Sequence, residues 1–315
     1  MLDSAALFRD HPLTKTKAGW CLQEGIHHVS TVDNGRLAPL IARHGVPTFY
    51  RNEASQKCRH AATQDVKDPQ SSFQSLVRIV AGQFVSGQSA QAAWKRLLQV
   101  TNRDLTPSAI LALVAAGAGD IEANLQKPAG LTKAKAACVV SIAEHFCSGQ
   151  LSEERLTAAS SSQEEVRAAL LKIKGIGPWS CDMFLLFYLE RSNVLPLGDL
   201  GVRKGLQACF AWRGSAPKGK LCLKKDAAWI EQELAVYQPY QSLLTYYMWR
   251  AADTPLAVQS AAADAATASP LVAAASATKK TPGKKRSIAT TTSANPETPT
   301  KQRSSSKRLK RIVTP

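Results

Sequence analysis

The residues best placed to do chemistry lie in one stretch, "LLKIKGIGPWSCDMFLLFYLERSNVLPLGDLGVRKGL", residues 170–206. Gly175, Ile176 and Gly177 separate an apolar helix from the one after it, and Asp199 follows twenty-two residues after Gly177. Two helices joined by such a hairpin leave the first N–H groups of the second helix pointing outward. Small glycines let another backbone come close, and the helix dipole attracts anions. That makes a phosphate site without side-chain charge, and Lys174 adds a cation beside it. The same spacing also suits an ordinary tight turn between packed helices. Asp199 precedes "LGVRKGL" and reads as an N-cap whose carboxylate accepts helix N–H groups. A capping acid can also face a cleft. There, phosphate repulsion would exclude it unless it performs chemistry.

The surrounding elements read as helices. Phe73, Leu76, Val77, Val80 and Phe84 recur at helical spacing. Gly82, Ser86 and Gly87 mark a break, after which Ala90, Trp94, Leu97 and Leu98 restart the pattern. Thr106-Pro107 opens another helix, since proline suits a first turn. "SSQEEVRAALLKIK" pairs a serine cap with acids in the first turn. Asp33-Asn34-Gly35 should interrupt a helix that Gly45 ends, and the first twenty residues and residues 51–70 look like loose surface chain. "SAPKGKLCLKK", residues 215–225, reads as a basic loop before the last two helices. Alternating strand patterns are almost absent, so the body is expected to be all-α.

Composition narrows the partners. The 315 residues carry a formal net charge of +16. From residue 256 onward there are eleven Lys/Arg against two acids, with few large apolar side chains. Such a segment cannot bury enough surface to offset ordering entropy, so 256–315 is expected to be a disordered basic tail. A basic body with a more basic tail suits a polyanion, nucleic acid first. Seven cysteines stand far apart with no C-x-x-C pair, which suggests neither a zinc site, nor an iron–sulfur cluster, nor a disulfide framework. A reducing compartment fits that usage. No run approaches the length of a bilayer span, and the N-terminus lacks a signal-peptide core. The expectation is a soluble, intracellular protein with no membrane partner.

Taken together, the hairpin, the Pro-Gly loop and the acid resemble the helix-hairpin-helix DNA glycosylase superfamily. "IKGIGPWSCDMFLLF" with "PLGDLGVRKGL" resembles more narrowly its alkylation-repair branch, the 3-methyladenine DNA glycosylases. "DNGRLAPLIARHG", "SLVRIVAGQFVSGQSA", "GLTKAKAACVVSIAEHF" and "YQPYQSLLTYYMWR" agree with it in the family's order. The likeness covers residues 24–252, with the hairpin at about 164–190, after an N-terminal extension of residues 1–23. It implies two helical subdomains flanking a cleft, double-stranded DNA with alkylated bases as partner, a monomer, and no organic cofactor.

The resemblance also implies roles. Asp199 would stabilise the positive charge that builds on deoxyribose as a base departs, or orient the attacking water. Trp179 and Trp249 would stack on a cationic purine, with Met183 on the pocket wall. Tyr240, Tyr246 and Tyr247 are vaguer candidates. Trp179 stands where bifunctional relatives carry a Schiff-base lysine, so a monofunctional, water-using enzyme is implied. Lys174, Gly175, Ile176 and Gly177 would grip the strand. "GQFVSGQSA" resembles the loop that supplies the wedge filling the gap left by a flipped base. Phe84 is the wedge candidate with Gln83 beside it, and core packing is the other account of Phe84. In relatives the hairpin often binds a monovalent cation, Na+ or K+. Here the main-chain carbonyls of Leu171, Ile173 and Ile176 would supply it. Arg203 could pair with Asp199 or reach a phosphate.

"KKTPGKKR" (279–286) and "SSSKRLKR" (304–311) are clusters of the kind read by a nuclear import receptor, which places the protein in the nucleus of a eukaryote. Two rivals remain open: a superfamily member with other base specificity, and a non-catalytic module that recognises damaged DNA.

Overall fold

The computed structural model describes Leu7 and residues 15–47, 71–158 and 160–253. The expected loop at 51–70, the tail from 256 and both basic clusters lie outside the described residues. Among those described there is no strand, only two isolated bridges, Lys15–Cys21 and Ala216–Lys220. Among the described residues, the α-helices of five or more residues are α1 (Leu22–Gly35), α2 (Ala38–His44), α3 (Ser72–Gly82), α4 (Gly87–Val100), α5 (Pro107–Ala116) and α6 (Lys133–Cys147). They continue with α7 (Glu153–Thr157), α8 (Gln163–Leu170), α9 (Pro178–Phe187), α10 (Leu200–Phe210), α11 (Leu223–Glu233) and α12 (Gln241–Ala252). None of them is long and apolar enough to cross a membrane.

Local chemistry explains most starts and stops. Ser71, Ser86, Thr106, Thr132 and Ser152 each accept a first-turn N–H from their own helix. Ser162 closes a full capping box with Glu165. Asp33 and Asn34 take positive φ and kink α1, as the sequence suggested. Asp226 draws the N–H groups of Ser215 and Cys222 onto its carboxylate and so fastens the basic loop to the start of α11.

Two hydrophobic clusters form the body. The first runs from Phe73 to Val194 and is contiguous in sequence. The second joins residues 22–46 to residues 197–248, so both ends of the described chain build it. The chain passes from one to the other between Val194 and Leu197, just before Asp199. Trp249 packs against both.

Two expectations need correcting. Residues 15–20 are not loose: the Lys17 N–H donates to Glu190 Oε2 at 2.7 Å and the Trp20 indole to the Glu190 carbonyl at 2.7 Å. Packing on a distant, fully buried glutamate leaves no local signal. The apolar periodicity of α3 also stops short of Phe84. Gln83 leaves the helix, and Phe84 adopts a left-handed φ of 55° with its side chain fully exposed, at 103%.

Candidate active site: a caged carboxylate beside the hairpin

Asp199 caps α10, with its Oδ1 accepting the Val202 N–H at 2.9 Å. It does more than cap. The Trp249 indole N–H donates to Oδ1 and the Trp179 indole N–H to Oδ2, both at 2.9 Å. Three N–H donors therefore hold one half-buried carboxylate, which accepts at both oxygens when ionised. Charge-assisted bonds of this kind are the stronger class and fix its orientation. No lysine or arginine pairs with it among the described residues. Arg203, for which pairing with Asp199 was one of two open roles, donates to the Leu197 carbonyl at 2.7 Å. That bond braces the turn leading into α10.

The loop carrying Asp199 is fastened to α12 by a ladder of bonds. Ser242 donates its N–H to the Ser192 carbonyl at 2.9 Å and its hydroxyl to the Arg191 carbonyl at 2.6 Å, while its Oγ accepts the Val194 N–H at 3.0 Å. Thr245 donates to the Val194 carbonyl at 2.9 Å. Trp249 lies one turn further along α12, and its indole thereby meets Asp199.

The crossing of α10 over α12 depends on two glycines that sequence reading passed over. A Cβ on Gly205 would stand 1.9 Å from the Met248 carbonyl oxygen. One on Gly201 would stand 2.8 Å from Trp249 Cδ1 and 3.0 Å from Asp199 Oδ1. Their spacing, Gly-x-x-x-Gly, puts both on one face of α10 and is the signal that could have found them. Without them the indole and the carboxylate could not meet at bonding distance.

The hairpin lies in the first cluster. Ile173 and Ile176 are buried, while Leu171, Lys172 and Lys174 are exposed. Gly175 has φ +99°, and a Cβ there would meet the side chain of Cys138 on α6 at 2.8 Å. Only glycine fits that turn. Gly177 differs. Its φ is −118°, nothing lies within 4 Å of its absent Cβ, and it opens α9 without a side-chain cap. The open N-terminus expected for a phosphate is thus present at Gly177, and the tight packing belongs to Gly175. A salt bridge from Arg167 on α8 to buried Asp182 on α9 ties the hairpin's two helices together. Burial pushes the Asp182 carboxyl above its usual range, and Arg167 opposes that shift.

The remaining candidates fall on several sides. Gln83 Nε2 donates to the Gly175 carbonyl at 3.1 Å and to Ser180 Oγ at 2.9 Å, so its amide is spent on the hairpin. Met183 is buried at 4% but belongs to neither cluster. Trp249 has one ring face covered by Phe187, stacked at 5.6 Å and 9°. Phe187 is a residue the sequence reading missed, and its i+4 spacing from Met183 on α9 was the only hint. Tyr247 is fully buried and donates to the Gly45 carbonyl, and Tyr240 packs on Trp20 and His28. Those two tyrosines serve the second cluster, and neither bonds to Asp199.

No protein-family model matches the chain. It is 26% identical over 190 residues to DNA-3-methyladenine glycosylase 1 of Schizosaccharomyces pombe, covering 60% of this chain and 74% of that protein. It is 31% identical over 143 residues to the DNA-3-methyladenine glycosylase of Saccharomyces cerevisiae, covering 40% of this chain and 48% of that one. Its sequence is thus similar to DNA-3-methyladenine glycosylases of two yeasts. Its fold agrees with that of solved 3-methyladenine DNA glycosylases. The S. pombe 3-methyladenine DNA glycosylase in complex with abasic DNA superposes with a TM-score of 0.57 at 24% identity, over 74% of this chain and 98% of that one. A DNA-3-methyladenine glycosidase from Bacillus halodurans gives 0.53 at 24%, over 73% and 89%.

Proposed function

We propose that the protein is a monofunctional DNA glycosylase that hydrolyses the N-glycosidic bond of alkylated purines such as 3-methyladenine in double-stranded DNA, initiating base excision repair. The observation that carries this reading is the carboxylate of Asp199, bonded by Trp179, Trp249 and the Val202 N–H and unpaired with any described cation. An acid neutralised by a salt bridge could not stabilise a sugar turning cationic. One held by neutral donors keeps its charge for that purpose. The relatives named DNA-3-methyladenine glycosylases support the substrate class.

In the mechanism, the N-terminus of α9 at Gly177, with Lys174 beside it, grips a phosphate of the damaged strand. Phe84 enters the stack as the target base leaves it. Its full exposure and left-handed backbone support this role, since folding alone gains nothing from displaying a strained aromatic. The rings of Trp179 and Trp249 receive the cationic purine near Met183. As the bond to the base lengthens, positive charge grows on the sugar, and Asp199 stabilises it and orients water for attack. Trp179 occupies the position a Schiff-base lysine would need, so no lyase step follows.

A monovalent cation at the hairpin would be held by main-chain oxygens. The Ile173 carbonyl accepts the Ile176 N–H at 3.1 Å and keeps a second lone pair, and the carbonyls of Leu171 and Ile176 accept no hydrogen bond among the described residues. Bound there, it would supply positive charge beside the N-terminus of α9. The reading further takes the protein as a monomer working in the nucleus, brought there by an import receptor through 279–286 or 304–311.

The test incubates the protein with duplex DNA treated with a methylating agent. Free 3-methyladenine and alkali-labile abasic sites are expected in the products. DNA bound but no base released would leave a non-catalytic damage-binding module.

A further inference from the structure

Lys135 is out of keeping with its surroundings. It lies on α6 with only 8% of its surface exposed, no carboxylate pairs with it among the described residues, and burial lowers its pKa from the ordinary lysine value. Removing an ammonium from water costs several kcal/mol, which methionine at the same place would avoid. Its Nζ makes one bond, 2.9 Å to the carbonyl oxygen of Ala81. Ala81 is the next-to-last residue of α3, where a carbonyl has no helical N–H partner and the helix dipole favours a cation. Two residues on, Gln83 is bonded to the hairpin through Gly175 and Ser180, and Phe84 follows it. Ser86 then fixes the other end of the tip by capping α4.

We infer that Lys135 is a positioning residue for the Phe84 wedge: its ammonium locks the end of α3, so that Gln83 reaches the hairpin and Phe84 projects at a fixed place beside the strand-gripping turn. The inference rests on the glycosylase reading above. Phe84 touches the DNA, whereas Lys135 acts through Ala81 and Gln83. Strand grip and stack filling then belong to one rigid unit, set from inside the first cluster. A single strand has no stack to fill, so the clamp matters only for duplex substrate.

The test compares Lys135→Arg, Lys135→Gln and Lys135→Met with wild type on one lesion, placed in duplex and in single-stranded DNA. Duplex excision should fall in that order, reaching roughly tenfold for K135M, the scale of one buried hydrogen bond. The single-strand rate should stay within about twofold for all three, the variation expected of a change outside the reacting groups. Fluorescence of 2-aminopurine beside the lesion, which reports unstacking, should fall with the duplex rate. Should K135M not fold, K135Q against wild type carries the same comparison. Equal loss on both substrates, or no duplex loss in any variant, would overturn the inference. Wild type that frees no base from either substrate would instead overturn the glycosylase reading.

Discussion

The two hydrophobic clusters solve different problems. The first, Phe73 to Val194, is built from consecutive helices whose starts are written locally by Ser or Thr caps. The second gathers residues from both ends of the described chain and depends on the close crossing of α10 over α12. The first cluster carries the hairpin and the loop of Phe84, and the second carries α12, whose Trp249 packs against both. Asp199 sits where the chain passes between them and draws one donor from each side, Trp179 and Trp249. In the mechanism proposed above, grip is thus a local property of one cluster, whereas the chemistry needs both in register.

This contrast can be broken from the second cluster first. Gly205→Ala drives a Cβ toward the Met248 carbonyl, and overpacking of this kind costs about 1–3 kcal/mol or more. Thermal unfolding should show that loss, and hydrogen exchange should show α10 and α12 opening while α3, α6 and α9 stay protected. Uniform loss of protection across both clusters would deny their independence.

A smaller effect comes from removing one donor at the junction. Trp249→Phe and Trp179→Phe keep a ring but lose the N–H to Asp199. A hydrogen bond to a charged group is worth about 1.5–3 kcal/mol, so single-turnover excision should slow by about 10–100-fold each. Abasic DNA should still bind. Unchanged rates would mean that the indoles serve only as stacking surfaces.

Within the first cluster the two hairpin glycines should separate. Gly177→Ala has room and an ordinary φ, so stability should change by no more than about 0.5 kcal/mol. DNA binding should nevertheless weaken severalfold, because the new methyl stands where a phosphate must approach. Binding titrations alongside melting curves decide this, and unaltered affinity would remove Gly177 from the interface.

The smallest effect concerns pH. N–H groups of Cys222 and Ser215 hold the Asp226 carboxyl below its usual range. Its folded value is depressed, so its contribution to stability is complete above about pH 4 and is lost as pH falls toward the folded value. The melting temperature of Asp226→Asn should therefore converge on wild type under acid. A gap that widens on acidification would reverse the assignment.

Most of the helical plan was legible because capping and turn signals are local. Ser162-x-x-Glu165, Thr106-Pro107 and the Gly175 turn each name their own structure. The pairing of Asp199 with two indoles was not, since it links positions 20 and 50 residues apart. Trp179 and Trp249 read as stacking rings, and their second use as donors depends on the approach permitted by Gly201 and Gly205. The anchoring of residues 15–20 on Glu190 was hidden for the same reason. Phe84 showed the opposite failure, where a helical period continued by chance past the true end of α3.

The account depends most on a negative charge beside the departing base, and one substitution isolates it. Asp199→Asn keeps the cap's shape while removing the charge. Single-turnover release of 3-methyladenine from duplex DNA should fall by roughly a thousandfold or more, the scale of losing a group that stabilises transition-state charge. Affinity for abasic DNA should stay near wild type. Excision at close to the wild-type rate would contradict the mechanism, whatever the hairpin and wedge contribute.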